Sequence, residues 1–472
     1  MRKKLNFICI LTCIFFQATS QNWDSLPGSK IQYNQVRVLY ADTVDNYMYM
    51  AGFFAIVNGQ HIKGIARWNG LEWDSLGAGI DGMDNNALAN ALCITRYNNE
   101  LYVGGAFYSL GDRKAVSIGK WDGNSWDSLA VQPFRTNLNN VVYALEVINN
   151  ELYVGGIFDT VAGVPVKGIA KWNGTNWSSL NFNLQNNYGI NCIAYYNNEI
   201  YVAGNFYDQL PTDGTRNIMK YDGVSWTKVG TGVNGDHIAS MAVYNNELYV
   251  AGLFLSAQGN KGNYIQKWNG TVWSDAGGGL AGANNDPFDN AQVQQLLVYQ
   301  NKIYAVGAMR YAGVVPAQYI SIWDGTNWCG LGSDFDNRIG TLCFYKDTLY
   351  VGGGFWTIDG DSIDNVAKWN GGNYTDTCGN LTGIENTHNK SALNIYPNPN
   401  NGLFTIEAAF EKSEEISIML YNMMGECVLK IEGVIVNESY KKQLNIEKFP
   451  AGVYFLSIQT SAESVQLKVV KQ

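Results

Sequence analysis

A chain of 472 residues exceeds one simple core and calls for several domains or one large repeat array. Its 51 Gly, 14 Trp, 29 Tyr, 9 Pro and 15% charged residues suit short strands joined by tight turns and exclude a helical bundle or a disordered chain. A formal net charge of −9, thinly spread, argues against nucleic acid and anionic membrane surfaces as partners.

Residues 1–20 read as a secretory signal peptide. Arg2, Lys3 and Lys4 supply the positive start, residues 5–16 the apolar run, and Ala18-Thr19-Ser20 a small-x-small cleavage site, so the mature chain is expected to begin at Gln21. That run is too short to span a bilayer stably, and no transmembrane segment is expected after cleavage. Cys93, Cys192 and Cys343 recur at one place in three repeat copies. Equivalent positions in different copies lie too far apart to bond, so these three are expected as small buried hydrophobes. Cys329 and Cys378 are the pair to test for a disulfide.

One unit of text then recurs seven times. It is clearest at residues 151–180: a hydrophobic run ending in Gly155-Gly156, a loop, then Trp172-Asn173-Gly174 and Trp177. The other copies centre on Trp68 with Trp73, Trp121 with Trp126, Tyr221 with Trp226, Trp268 with Trp273, Trp323 with Trp328, and Trp369 with Tyr374, at steps of 46 to 55 residues. A period near 50 residues belongs to propeller arrays. Asn-Gly and Asp-Gly between β-formers predict a two-residue hairpin with positive φ at both turn residues. A second hairpin recurs at Asn98-Asn99, Asn149-Asn150 and Asn245-Asn246. Each unit is thus expected to be four antiparallel strands, one propeller blade. The Gly pairs lack Cβ atoms and would let backbones approach closely where blades converge. The recurrent Trp residues are expected to pack between blades. Trp356 stands outside the pattern and is the aromatic candidate for ligand contact. Asn22-Trp23-Asp24-Ser25-Leu26 repeats the outer-strand text before any other strand of its unit, so it is expected to complete the last blade and close the ring.

The pattern over residues 22–378 resembles the kelch and galactose-oxidase-type propellers, and its short Trp-Asn/Asp-Gly hairpin is closer to the LYVGG-type repeats of bacterial and fungal cell-surface proteins. That resemblance implies a seven-bladed β-propeller in an all-β chain. It implies no particular function, since such folds host enzymes and binding modules alike.

No zinc-protease, nucleophile-elbow or Cys-His arrangement occurs, and His61, His237 and His388 share no metal-ligand spacing. No catalytic residue and no cofactor is assigned. Asp81 and Asp84 lie in one of three Asp-containing loops whose oxygen ligands would suit Ca²⁺. All three loops join an outer strand to the next inner strand, and in a propeller such connections crowd one face. The ligand candidates on that face are Asp84, His237, Asp286, Asp289, Asp336, Arg338 and Trp356.

After Cys378 the text changes. Residues 379–391 read as a polar linker. Residues 392–472 carry alternating apolar strands with Gly turns, which predict a small antiparallel β-sandwich. Tyr396-Pro397-Asn398-Pro399 with Gly402, a turn at Gly425, Gly452 with Tyr454, and the basic end at Lys468 closely resemble the type IX secretion (Por) C-terminal sorting domain of Bacteroidota. The resemblance implies passage through the periplasm, recognition by the type IX machinery, and release or attachment at the outer surface. The domain boundaries are therefore expected at 1–20, 21–378, 379–391 and 392–472. The function expected is a secreted or surface-attached module binding a glycan or a protein. The alternative is an extracellular polysaccharide-active enzyme using carboxylates of the loop face.

Overall fold

The structure, a computed structural model, describes residues 23–27, 31–32, 35–57, 59–82, 89–129, 140–182, 189–207, 216–256, 263–282, 291–363, 365–370, 393–398, 400–409, 413–422, 427–437, 439–459 and 464–471. The expected signal peptide and linker lie outside them. The chain divides into two compact units, Met1–Cys378 and Gly379–Gln472. Every regular element among the described residues is a β-strand.

Among the described residues the first unit holds seven four-stranded antiparallel sheets. Six are contiguous in sequence; the third, for example, runs Val141–Ile148, Glu151–Ile157, Ile169–Trp172, Trp177–Ser179. Their first strands lie against one another in chain order, and that of the seventh sheet, Ile339–Tyr345, returns to that of the first, Gln35–Asp42. This cyclic order is the arrangement of a β-propeller. The seventh sheet takes its outer strand from the other end of the unit: Trp23–Ser25 pairs antiparallel with Val366–Trp369. The Trp23 and Trp369 rings meet at 4.9 Å, as Trp121 and Trp126 do at 5.1 Å elsewhere. Tyr374, which ends the last copy of the repeat text, lies outside the described residues.

The second Trp of each unit joins neighbouring sheets. Trp126 Nε1 donates to the Leu76 carbonyl of the preceding sheet at 2.8 Å, and Trp226 and Trp328 repeat this to Leu180 and Ala276 at 2.9 and 2.7 Å. Trp73 makes no such bond, and the recurrence rests on ring packing: the two Trp rings of a unit are buried against each other, as Trp68 and Trp73 are at 5.1 Å, which leaves them no face for a sugar. At the opposite end of the strands, Tyr97, Tyr196, Tyr244 and Tyr345 hydroxyls donate to turn carbonyls of the next sheet.

The Gly pairs divide their work. A Cβ on Gly155 would stand 2.7 Å from Ile190 Cγ2 of the next sheet, so the first Gly permits close approach between blades. A Cβ on Gly156 would stand 2.1 Å from the Val141 carbonyl oxygen of its own sheet. It faces the register shift between Val142 and Ala144, a β-bulge repeated in the first strand of all seven sheets. The bulges had no signature in the sequence text.

One local expectation fails. Asn98 and Asn99 do form a two-residue turn with positive φ at both positions. The Asn-Gly and Asp-Gly hairpins do not. Trp68 pairs with Trp73, leaving four residues in the loop; only Gly70 takes positive φ, and the Asn69 side chain accepts from the amides of Leu71 and Glu72 at 2.7 and 2.9 Å. The Asx side chain completes the turn, so the Asn backbone keeps ordinary φ.

Cys93, Cys192, Cys343 and Cys427 are free thiols, whereas Cys329 is disulfide-bonded; Cys378 lies outside the described residues. Desolvation pushes the Cys93, Cys192 and Cys343 thiols far above their usual range. Alkylation of the native protein should therefore modify Cys427 alone, and denaturation should add those three. Non-reducing peptide mapping should find Cys329 only in a cross-linked peptide. Native alkylation of Cys343 would contradict this packing.

The second unit forms a three-stranded and a four-stranded antiparallel sheet. Phe404, Ile406 and Leu444 of the first pack with Ile416, Ile418, Leu456 and Ile458 of the second in one core, the expected sandwich. Tyr454 is buried and its hydroxyl donates to the Pro450 carbonyl at 2.7 Å. The Tyr396 hydroxyl donates to Glu407 at 2.6 Å. Gly402 holds φ +109, and a Cβ there would stand 2.7 Å from Glu447 Cγ. Lys468 pairs through its backbone with Phe455. Pro399 and Gly425 lie outside the described residues.

Candidate functional site

The connections that enter each first strand lie at the same end of the ring as those joining second to third strands. Ile80–Asp81 pairs with Ser109–Leu110, and Leu280–Ala281 with Tyr311–Ala312. Among the described residues the expected loop face therefore carries small sheets of its own, because short hairpins between second and third strands give those connections edges to pair with.

At this end the first strands carry a row of equivalent residues. Gln35, Asn90, Val141 and His237 stand opposite Phe53, Ala106, Ile157 and Leu253. The carbonyls of Gly189, Gln292 and Arg338 accept from Asn205, Ala308 and Gly354 at 3.1, 2.7 and 3.3 Å in the remaining sheets. Over the fifth, sixth, seventh, first and second sheets this row reads His237, Gln292, Arg338, Gln35, Asn90. It is a polar arc, facing Val141 and Gly189 across the ring.

Three of the sequence candidates converge on the seventh sheet. The Asp336 carboxylate accepts from the Trp356 amide at 2.8 Å, and its own amide donates to Thr357. Asp334 is tied to Asp359 and lies 3.8 Å from Arg310. Phe335 between them is fully buried and pairs with Ile358. This Asp loop is thus stapled by its carboxylates. The Trp356 side chain is left 44% exposed above it. The Arg338 amide, two residues after Asp336, donates to the Asn337 side chain at 2.8 Å.

His237 belongs to the arc but is braced. Its Nδ1 lies 3.0 Å from the Asp236 carboxylate and its Nε2 3.1 Å from the Gln292 amide nitrogen. With Nδ1 donating to Asp236, Nε2 accepts from Gln292. Asn205 donates to Asp236 at 3.3 Å, so one chain of polar contacts links the fourth, fifth and sixth sheets. Asp84, Asp286 and Asp289 lie outside the described residues. Asp81 is ion-paired with Lys63 at 2.9 Å, and no group of three or more His, Cys, Asp or Glu among the described residues could hold a metal ion.

Sequence reasoning missed Arg37, which sits at the bulge of the first strand of the first sheet. Its Nε is buried without a hydrogen-bond partner. Desolvation, then the Arg338 charge, lowers the pKa of its guanidinium. Glu146, on the first strand of the third sheet, was missed as well: desolvation pushes its carboxyl up to about 7.

The fold and this face define a β-propeller-like protein joined to a separate C-terminal sandwich. Residues 394–472 of that sandwich match the secretion system C-terminal sorting domain. This domain marks the chain for export by the type IX system, to the cell surface or beyond it. No curated protein matches the chain. Among solved structures it is similar to an exo-β-1,3-galactanase from Phanerochaete chrysosporium, with 13% identity over 84% of this chain and 98% of that one and a TM-score of 0.27. It is also similar to a glycoside hydrolase, with 7% identity over 94% and 98% of the two chains and a TM-score of 0.25. Scores this low carry no inference about activity.

Proposed function

We propose that the ring is a seven-bladed propeller acting outside the cell as a glycan-binding module, with its site on the face where the seventh and first sheets meet. The observation that carries this reading is Trp356. It is 44% exposed, lies outside the structural Trp repeat, and has its backbone locked to Asp336. An aromatic face held by a rigid backbone beside polar side chains suits a sugar ring, whose CH groups stack while its hydroxyls take hydrogen bonds. Removal of an N-terminal signal, recognition by the type IX machinery and a linker at 379–391 complete the reading.

The test is a glycan array probed with the mature full-length chain and its Trp356→Ala variant, with reducing ends assayed on every hit. Retention of glycans by the parent, weakened roughly tenfold in the variant as one aromatic stacking contact of about 1–1.5 kcal/mol is lost, would support the module. Reducing-end release would replace it by the polysaccharide-active enzyme. Equal binding by both proteins would remove Trp356 from the site.

A further inference from the structure

We propose that the third sheet carries a second saccharide site, a cavity that takes one neutral sugar unit between Asp159 and Lys167; this rests on the glycan reading above and adds to it a subsite separate from Trp356.

The cavity is about 620 Å³, the size of a small-ligand pocket. It lies at the loop end of the ring, between the hairpin of Thr160–Val161 with Val164–Pro165 and the exit of the outer strand Trp177–Ser179. Phe182 forms one wall. Two residues beyond the carbonyl that receives a Trp indole, where this sheet has Phe182, the first, fourth and fifth sheets have Ala78, Thr231 and Gly278. In those three the outgoing chain lies back on the hairpin: the amides of Ile80, Val233 and Leu280 donate to the carbonyls of Lys63, Arg216 and Asn263 at 2.9, 3.0 and 2.9 Å. Phe182 is buried toward the fourth sheet, its ring 4.4 Å from that of Trp226 and 6.0 Å from that of Phe206.

Two charges on this cavity are left open. Lys167 and Lys63 hold the same place, one before the glycine whose amide donates to Phe158 or Phe54 at 2.8 Å. Lys63 is ion-paired with Asp81 at 2.9 Å, whereas among the described residues Lys167 has no such partner. The Asp159 carboxylate has none either. Asp159 stands where the seventh sheet has Trp356: its carbonyl accepts from Val166 at 2.8 Å, as that of Trp356 accepts from Ile363 at 2.9 Å. The repeat position that presents an exposed aromatic in one sheet thus presents a free carboxylate in another.

A carboxylate only accepts hydrogen bonds and an ammonium only donates them, whereas a sugar hydroxyl does both. Adjacent hydroxyls of one ring can therefore engage Asp159 and Lys167 together, and the Asn181 amide adds a group of either kind. Pro165, Val166 and Phe182 give the CH groups of the ring an apolar surface. The two charges cancel locally, so the cavity favours a neutral ring over a charged one. Subsites in the third and seventh sheets, on one end of the ring, would hold a polysaccharide at two points and raise its avidity.

Saturation-transfer NMR tests this with the mature full-length chain and four separate probes: maltose, cellobiose, laminaribiose and glycine. Transfer to at least one disaccharide is expected, persisting in Trp356→Ala, with none to glycine. Lys167→Ala should weaken the disaccharide about tenfold in a concentration series, as one charge-assisted contact is lost. Asp159→Ala should do the same. Neither side chain bonds to a described residue, so both variants should keep the parent's melting temperature. Disaccharide signals abolished by Trp356→Ala and untouched by both cavity variants would overturn the second site and leave the glycan reading standing. Transfer to glycine alone, with glycans still retained on the array, would do likewise. No transfer to any disaccharide, with no hits on the array, would overturn both.

Discussion

Replacing Trp23 by Ala should open the ring. Trp23 is fully buried, lies 4.9 Å from the Trp369 ring and 5.3 Å from Phe335, and donates from Nε1 to Ser333 Oγ at 2.9 Å. Truncating a buried Trp costs about 3–5 kcal/mol, and the lost hydrogen bond adds roughly 1 kcal/mol. The consequence exceeds that of the same change at Trp126. Trp126 follows its partner strand through a tight hairpin, so its strand stays nearby when packing weakens. The strand Trp23–Ser25 has three residues and meets its partner across the whole length of the ring. Once detached it is lost to a long loop, and the edge of Val366–Trp369 stands open for pairing with other chains. Trp23→Ala should therefore lower the urea midpoint more than Trp126→Ala does, and it should show concentration-dependent association in sedimentation. A midpoint for Trp23→Ala equal to that of Trp126→Ala would mean that another segment closes the last sheet.

Deleting residues 393–472 should abolish export while leaving the ring folded. The two units are separately compact, and the sandwich has its own core of Phe404, Ile406, Ile418, Leu444 and Leu456. The truncated protein should accumulate in the periplasm with the thermal transition of its ring intact, and surface or medium fractions should contain none of it. A subtler change should act through the same unit. The Lys471 ammonium donates to the carbonyls of Ile446 and Glu447 at 3.2 and 2.8 Å and to that of Phe449. Asn398 and Asn400 hold the neighbouring Val470 backbone at 2.7 and 3.0 Å. The conspicuous opening motif and the last residues of the chain are thus knotted together. Lys471→Met leaves three carbonyls short of a charged donor, and should lower the stability of the sandwich by about 1.5–3 kcal/mol and reduce the exported fraction. Full secretion of the truncated chain would show that export needs a signal outside this unit.

How much of this was legible in the sequence differs by element. The repeat, its strands and the closing role of Trp23 could be read because each rests on local text: a period, a turn dipeptide, a duplicated outer strand. The Asn-Asn turns were read correctly for the same reason. The Asn-Gly hairpins were misjudged, because a side chain accepting two amides competes with the backbone turn, and the residue letters do not say which wins. The sorting domain was legible because several ordered motifs sit together at fixed distances.

The site divides the same way. His237, Asp336, Arg338 and Trp356 were candidates because they fall where the repeat copies differ, at positions packing does not dictate. Their roles were not legible: His237 braces the arc through Asp236 and Gln292, and Asp336 holds the Trp356 backbone. Arg37 was hidden, because it stands at a bulge formed only when Val36 and Val38 pair with Gly52 and Ala51. Sequence alone therefore determined the class of fold, its repeat and its destination, which follow from interactions within a few residues or from duplicated text. Only the tertiary structure decided what faces what at the ring junction. The strands Gln35–Asp42 and Ile339–Tyr345 are about 300 positions apart and lie together solely because the last sheet meets the first.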